Sequence, residues 1–159
     1  MLALLYLALV SLLSLTSVHA QTAGTITAPS QGAKIMPLQS FPFSYKIHQD
    51  YCTSSHNITV QLTTKALDSG GTTGNTGHYF GRFATGSYPY QGLPNPNPPV
   101  PSSLTMPDFS MAPGGFGTGA TASNLPLYLH VIEEWNTCQP TIGNNIFVST
   151  VQVFYNSTS

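Results

Sequence analysis

The sequence predicts an all-β protein, a sandwich of about seven short strands. Three observations point there. Apolar residues recur at alternate positions in several segments. Clusters of Gly, Pro, Asn and Ser separate those segments. No window holds the i, i+3, i+4, i+7 apolar spacing of an amphipathic helix.

The elements follow in chain order. TITA, residues 25–28, is a short β-rich run stopped by Pro29 and Gly32. In FPFSYKI, Phe41, Phe43, Tyr45 and Ile47 alternate with Pro42, Ser44 and Lys46, the period of a half-buried strand, with Pro42 at its start or at a sheet edge. NITVQLT repeats the pattern, with Ile58, Val60 and Leu62 expected inward and Asn57, Thr59 and Gln61 outward. After the loop DSGGTTGNTG comes HYFGRF, a short strand. From Tyr88 to Ser103 the chain is rich in Pro, Asn and Gly, and NPNPPVP reads as polyproline II or extended coil. Leu104 to Met106 is a further short strand, and APGGFGTGATASN is turn chemistry. Two strong strands close the chain: LPLYLHVIEEW, with Leu127, Leu129 and Val131 set against Tyr128, His130 and Ile132, and the β-branched, aromatic NIFVSTVQVFY.

Residues 1–20, MLALLYLALVSLLSLTSVHA, are an uncharged apolar run ending in Val18-His19-Ala20. Small residues at −3 and −1 fit a signal-peptide cleavage site, so the expected mature chain is one domain, residues 21–159, exported to the extracellular space. The end of the chain, VQVFYNSTS, lacks the hydrophobic tail of a lipid-anchor signal. Charged residues are only 6% of the chain and the formal net charge is −1, which excludes a phosphate-neutralising patch and argues against nucleic acid as a partner. In a secreted chain Asn57-Ile58-Thr59 and Asn156-Ser157-Thr158 are glycosylation acceptors. Cys52 and Cys138 are the only cysteines, and an oxidising compartment predicts one disulfide between them. Each lies just after an expected strand, the second and the penultimate, whose ends share a pole of an alternating sandwich.

The opening ITAPSQGAKIMPLQSFPFSYK is similar to the start of secreted fungal immunoglobulin-like domains: Ile-Thr-x-Pro-x-x-Gly, a spacer, then an aromatic-rich second strand. Cell-wall proteins of the Kre9/Knh1 type carry such an opening. The rest of the chain, with YFGRF, MPDF and PGGFGTGA, resembles small secreted proteins of mushroom-forming fungi. The resemblance implies an immunoglobulin/fibronectin-like sandwich with a long Pro/Gly-rich insert, in a secreted fungal protein of the cell wall or another extracellular surface. It carries over no catalytic residue.

Catalytic chemistry finds little support. Glu133 and Glu134 are adjacent in a strand, so they point to opposite faces and cannot share a cleft as a glycosidase pair. Asp68 sits in a Gly/Ser/Thr loop, and solvated or turn-capping roles are expected for the carboxylates. His48, His56, His78 and His130 show no metal-ligand spacing, and surface positions are expected for them, with His48 and His130 in polar register. No metal site and no cofactor is predicted. There is no GxSxG, and GFGTGA is not GxGxxG.

The stretch GHYFGRFATGSYPYQG, residues 77–92, supplies the candidate binding residues Tyr79, Phe80, Arg82, Tyr88 and Tyr90. Exposed aromatic rings stack on sugars, and Arg supplies hydrogen bonds. In an ideal strand Tyr79, Gly81 and Phe83 share one face, and Phe80 and Arg82 the other. The expected function is that of a non-catalytic secreted glycoprotein, its partner a cell-wall polysaccharide or an extracellular protein. Two other classes stand beside it. One is a small metal-dependent enzyme resembling the copper monooxygenases, which needs cleavage before His19. The other is an effector or inhibitor that uses residues 93–102 to contact a protein.

Overall fold

The computed structural model describes residues 23–50, 53–67, 77–86, 95–109, 123–137 and 145–156. These form strands and turns, with no helix among them. The leader, both cysteines, Tyr88, Tyr90 and most of the Gly-rich insert lie outside the described residues.

Among the described residues there are ten strands: β1 (Thr25–Ala28), β2 (Lys34–Ile35), β3 (Ser40–Pro42), β4 (Ser44–Lys46), β5 (Gln49–Asp50), β6 (Thr53–Thr63), β7 (Gly77–Ala84), β8 (Ser103–Thr105), β9 (Leu125–Thr137) and β10 (Asn145–Tyr155). The count exceeds seven partly because FPFSYKI divides at Phe43, whose N–H donates to the Ser102 carbonyl at 2.9 Å in continuation of the β3–β8 register. The two halves then pair differently: β3 with β8, and β4 with β1. Two-residue β2 and β5 supply the remainder.

A six-stranded sheet runs β2-β10-β9-β6-β5, with β7 also on β6, and curls into a half-barrel. Its pairs are antiparallel except β2 with β10. The two small sheets cover its inner face. Phe41, Phe43, Leu104 and Met106 from that layer share one apolar cluster with Ile58, Val60, Leu62, Leu127, Leu129, Val131, Val151 and Val153 of the large sheet. The period-two inward positions of β6, β9 and β10 are therefore the core, held by apolar burial.

Several positions expected at the solvent face are buried. Asn57 is 5% exposed. A bulge between Ser55 and Asn57, where β6 meets β9, brings it beneath the 95–97 segment. There its amide lies 2.9 Å from that of Asn95 and 3.0 Å from that of Asn97. With its nitrogen toward the His56 carbonyl (3.0 Å) and its oxygen toward Arg82 (3.2 Å), both ends of the amide are satisfied. Asn156, the other acceptor, is half-buried and accepts the Ser123 hydroxyl at 3.2 Å.

Glu133 and Glu134 do face opposite ways, but neither is simply solvated. Glu133 is fully buried on the inner face. Its Oε2 accepts the Gly24 N–H (2.8 Å) and the Tyr45 hydroxyl (2.9 Å), and its Oε1 accepts the His48 N–H (2.8 Å). Burial raises the Tyr45 hydroxyl well above the ordinary tyrosine range; its bond to Ser149 offsets part of this, and the Glu133 charge adds to it.

The histidines divide. His78 is exposed, as expected. His48 is half-buried and stacks on Trp135 at 3.9 Å, with Phe147 on the same indole at 4.0 Å. Trp135 is itself a fully buried residue of β9. His56 is buried, and burial holds its imidazole below the usual histidine range. His130 is fully buried between neighbouring strands, for which polar register gave no warning.

Candidate functional site

A one-residue bulge in β7 decides which aromatic residues face solvent. Val60 pairs with Gly81 but Gln61 pairs with Tyr79, so Phe80 is the extra residue. Gly81 takes a φ of +147°, and a Cβ there would meet the Phe83 ring at 2.9 Å, so the position suits glycine. The bulge shifts the alternation. Tyr79 and Arg82, expected on opposite faces, both lie on the outer face, while Phe83 is in the core and Phe80 packs against it. Phe80 touches Phe41 edge-on at 6.4 Å and His78 at 4.7 Å, and so leaves the candidate platform.

Tyr79 keeps its role as a candidate, at 60% exposed. Arg82 is committed elsewhere: its Nε donates to Glu134 Oε1 at 2.8 Å and its Nη2 pairs with Oε2. This fork–fork pair ties β7 to β9 across β6 and leaves the guanidinium fixed over the Asn57 network. Tyr88 and Tyr90 lie outside the described residues.

Strand pairing arranges the outer face in rows. Tyr79, Gln61, His130 and Thr150 face one another across β7, β6, β9 and β10, and Thr63, Tyr128 and Gln152 form the next row. On the second row lies a groove of about 530 Å³, lined by Gln31, Ala66, Leu67, Tyr128, Val148, Thr150 and Gln152. Tyr128 presents an aromatic surface there, half-buried and stacked beside His130 at 6.4 Å. Gln31 and Gln152 stand together, the Gln31 side chain accepting the Gln152 N–H at 3.0 Å.

His130 sits behind this groove. Its Nε2 is 2.8 Å from the Thr63 hydroxyl and its Nδ1 2.8 Å from that of Thr150. The Thr63 hydroxyl spends its one proton on the Lys65 carbonyl, so it must accept from Nε2–H. Nδ1 holds the Thr150 hydroxyl, so the imidazole bridges β6 and β10 and fixes a groove-lining group.

Among the described residues the groove is lined by aromatic, hydroxyl, amide and aliphatic groups and by no carboxylate. Among the described residues no three His, Cys, Asp or Glu side chains are grouped to hold a metal ion. Reading along the chain missed Gln31, Thr150 and Gln152. They are unremarkable in sequence and meet only through the pairing of β9 with β10 and the turn before β2. Tyr128 was visible as an outward residue of its strand, with nothing to rank it above other tyrosines.

Comparison with protein-family models, with curated proteins and with solved structures finds no match.

Proposed function

We propose that this is a secreted, non-catalytic polysaccharide-binding protein of a fungal cell wall or extracellular surface, and that the outer face of its large sheet is the binding face. One observation carries the reading: the groove at Tyr128 combines a ring with the Gln31 and Gln152 amides and the Thr150 hydroxyl, neutral groups suited to sugar hydroxyls and ring faces. The exposed Tyr79 lies on the same face. Its row partner His130 is two strand spacings away, about 10 Å. A chain laid obliquely across the strands would meet Tyr79 and Tyr128, which stand one row apart on β7 and β9. Export rests on the apolar leader and its Val18-His19-Ala20 end.

The finer fold belongs to the same proposal. An immunoglobulin-like sandwich is supported by the order of pairing: the first strand splits between the two layers, β1 on β4 and β2 parallel on β10, while β10, β9 and β6 lie in sequence beside it.

The test is depletion from solution by insoluble chitin, β-1,3-glucan and cellulose, comparing Tyr128→Ala and Tyr79→Ala with the parent. Retention on one polymer, weakened about tenfold or more by Tyr128→Ala, supports the proposal. Each stacked ring is worth about 1 kcal/mol or more, so Tyr79→Ala should weaken it less but measurably. No retention on any polymer rejects it.

A further inference from the structure

We infer that the free edge of β10 is a self-association surface, pairing antiparallel with β10 of a second copy across a twofold axis at Val148. Gln152 and Phe154 direct their N–H groups away from β9, to the Gln31 side chain and the Ala33 carbonyl. The period of two sets the outward main-chain groups of Ile146, Val148 and Thr150 the same way. Among the described residues none covers them as a strand would: β2 pairs only with Phe154 and Tyr155, and β1 stands off across a cleft of about 360 Å³. Across that cleft the Ser149 hydroxyl donates to the Gly24 carbonyl at 2.7 Å, a side-chain bond in place of a ladder.

Edges left open in monomers are ordinarily blunted by charge, proline or a strong bulge. This one has none of these. The eleven residues NIFVSTVQVFY contain no charge and no proline, and the β10–β9 ladder runs in register throughout. Ile146 and Val148 are 64% and 50% exposed.

A second copy is the occupant this edge fits. With the twofold at Val148, Val148 faces its own equivalent and Ile146 faces Thr150, so every outward cross-strand pair is β-branched. The same three residues give and receive the main-chain bonds on both sides, about six in all, which is an isologous interface. Because the strand is neutral, pairing it with itself opposes no like charges. The two outer faces would then be continuous, placing two Tyr128 grooves on one sheet; that consequence rests on the proposed function, but the pairing does not.

Sedimentation velocity of the secreted protein over about 5–500 µM tests this, since a small interface dissociates within such a range. The expected result is a concentration-dependent dimer. Val148→Lys, at an exposed position, should weaken it by about tenfold or more by setting like charges face to face. Mixing Val148→Lys with Val148→Asp should restore a heterodimer, because only the mixed pair brings opposite charges together. Ile146→Lys provides a second variant on the same edge if Val148→Lys melts early. A monomer throughout the range, or a dimer indifferent to both lysine substitutions, overturns the inference. Polymer depletion is measured separately, so failure of one proposal leaves the other standing.

Discussion

The Tyr45 hydroxyl donates to Glu133 Oε2 across 2.9 Å, joining the covering layer to the inner face of the large sheet. The same carboxylate takes the Gly24 and His48 N–H groups, so three donors from the covering side converge on one buried acceptor. Glu133→Gln replaces an acceptor-only group with an amide whose nitrogen faces donors. Urea denaturation should show a loss of about 3 kcal/mol. Glu134→Gln, which breaks a partly exposed pair with Arg82, should cost no more than about 1 kcal/mol.

Stability should fall at both ends of the pH scale. His56 is held below its ordinary range by burial, with the Arg82 charge acting the same way and Glu134 against it. The unfolded chain therefore takes up its proton first, and stability declines as pH drops below about 6.5. Tyr45 is raised, so the unfolded chain loses its proton first, and stability declines above about pH 10. Melting temperatures from pH 5 to 11 will show both limbs. His56→Asn should flatten the acid limb, and Tyr45→Phe the alkaline one.

Asn57 should carry no glycan in the folded protein. Its amide nitrogen is enclosed by the His56 carbonyl and the Asn95 and Asn97 side chains, and Ile58 beside it is in the core. Glycopeptide mapping should find Asn57 unmodified. Substantial occupancy would mean that the 95–97 segment docks differently.

Gly81→Ala should destabilise by about 1–3 kcal/mol, because it adds a Cβ against the Phe83 ring at a positive φ. Thermal denaturation measures this. Tyr79→Ala, two residues away and exposed, should change stability by less than about 0.5 kcal/mol.

Thr53 and Thr137 form the last described rung between β6 and β9, and Cys52 and Cys138 are the next residues on either side in sequence. A single disulfide between them is expected, closing a loop of about 85 residues and contributing about 4.5 kcal/mol in the chain-entropy model. Peptide mapping without reductant should recover the linked pair, and reduction should lower the melting temperature.

The sequence by itself determined the all-β class and the inward residues of β4, β6 and β9. Tyr45, Ile58, Val60, Leu62, Leu127, Leu129 and Val131 were legible because a strand's side chains alternate strictly and apolar ones must leave water. Opposite faces for Glu133 and Glu134 followed from the same geometry. Tertiary structure alone decided what alternation cannot encode. The bulge at Phe80 and Gly81 moved Tyr79 to the side of Arg82, since one inserted residue reverses the parity of everything beyond it. Polar residues in outward register, Asn57 and His130, were buried because distant segments supplied their hydrogen-bond partners. Glu133, in inward register, was buried for the same reason. The groove at Tyr128 and the open edge of β10 exist only once strands far apart in the chain have chosen their neighbours, a choice made by the whole core and carried by no local pattern.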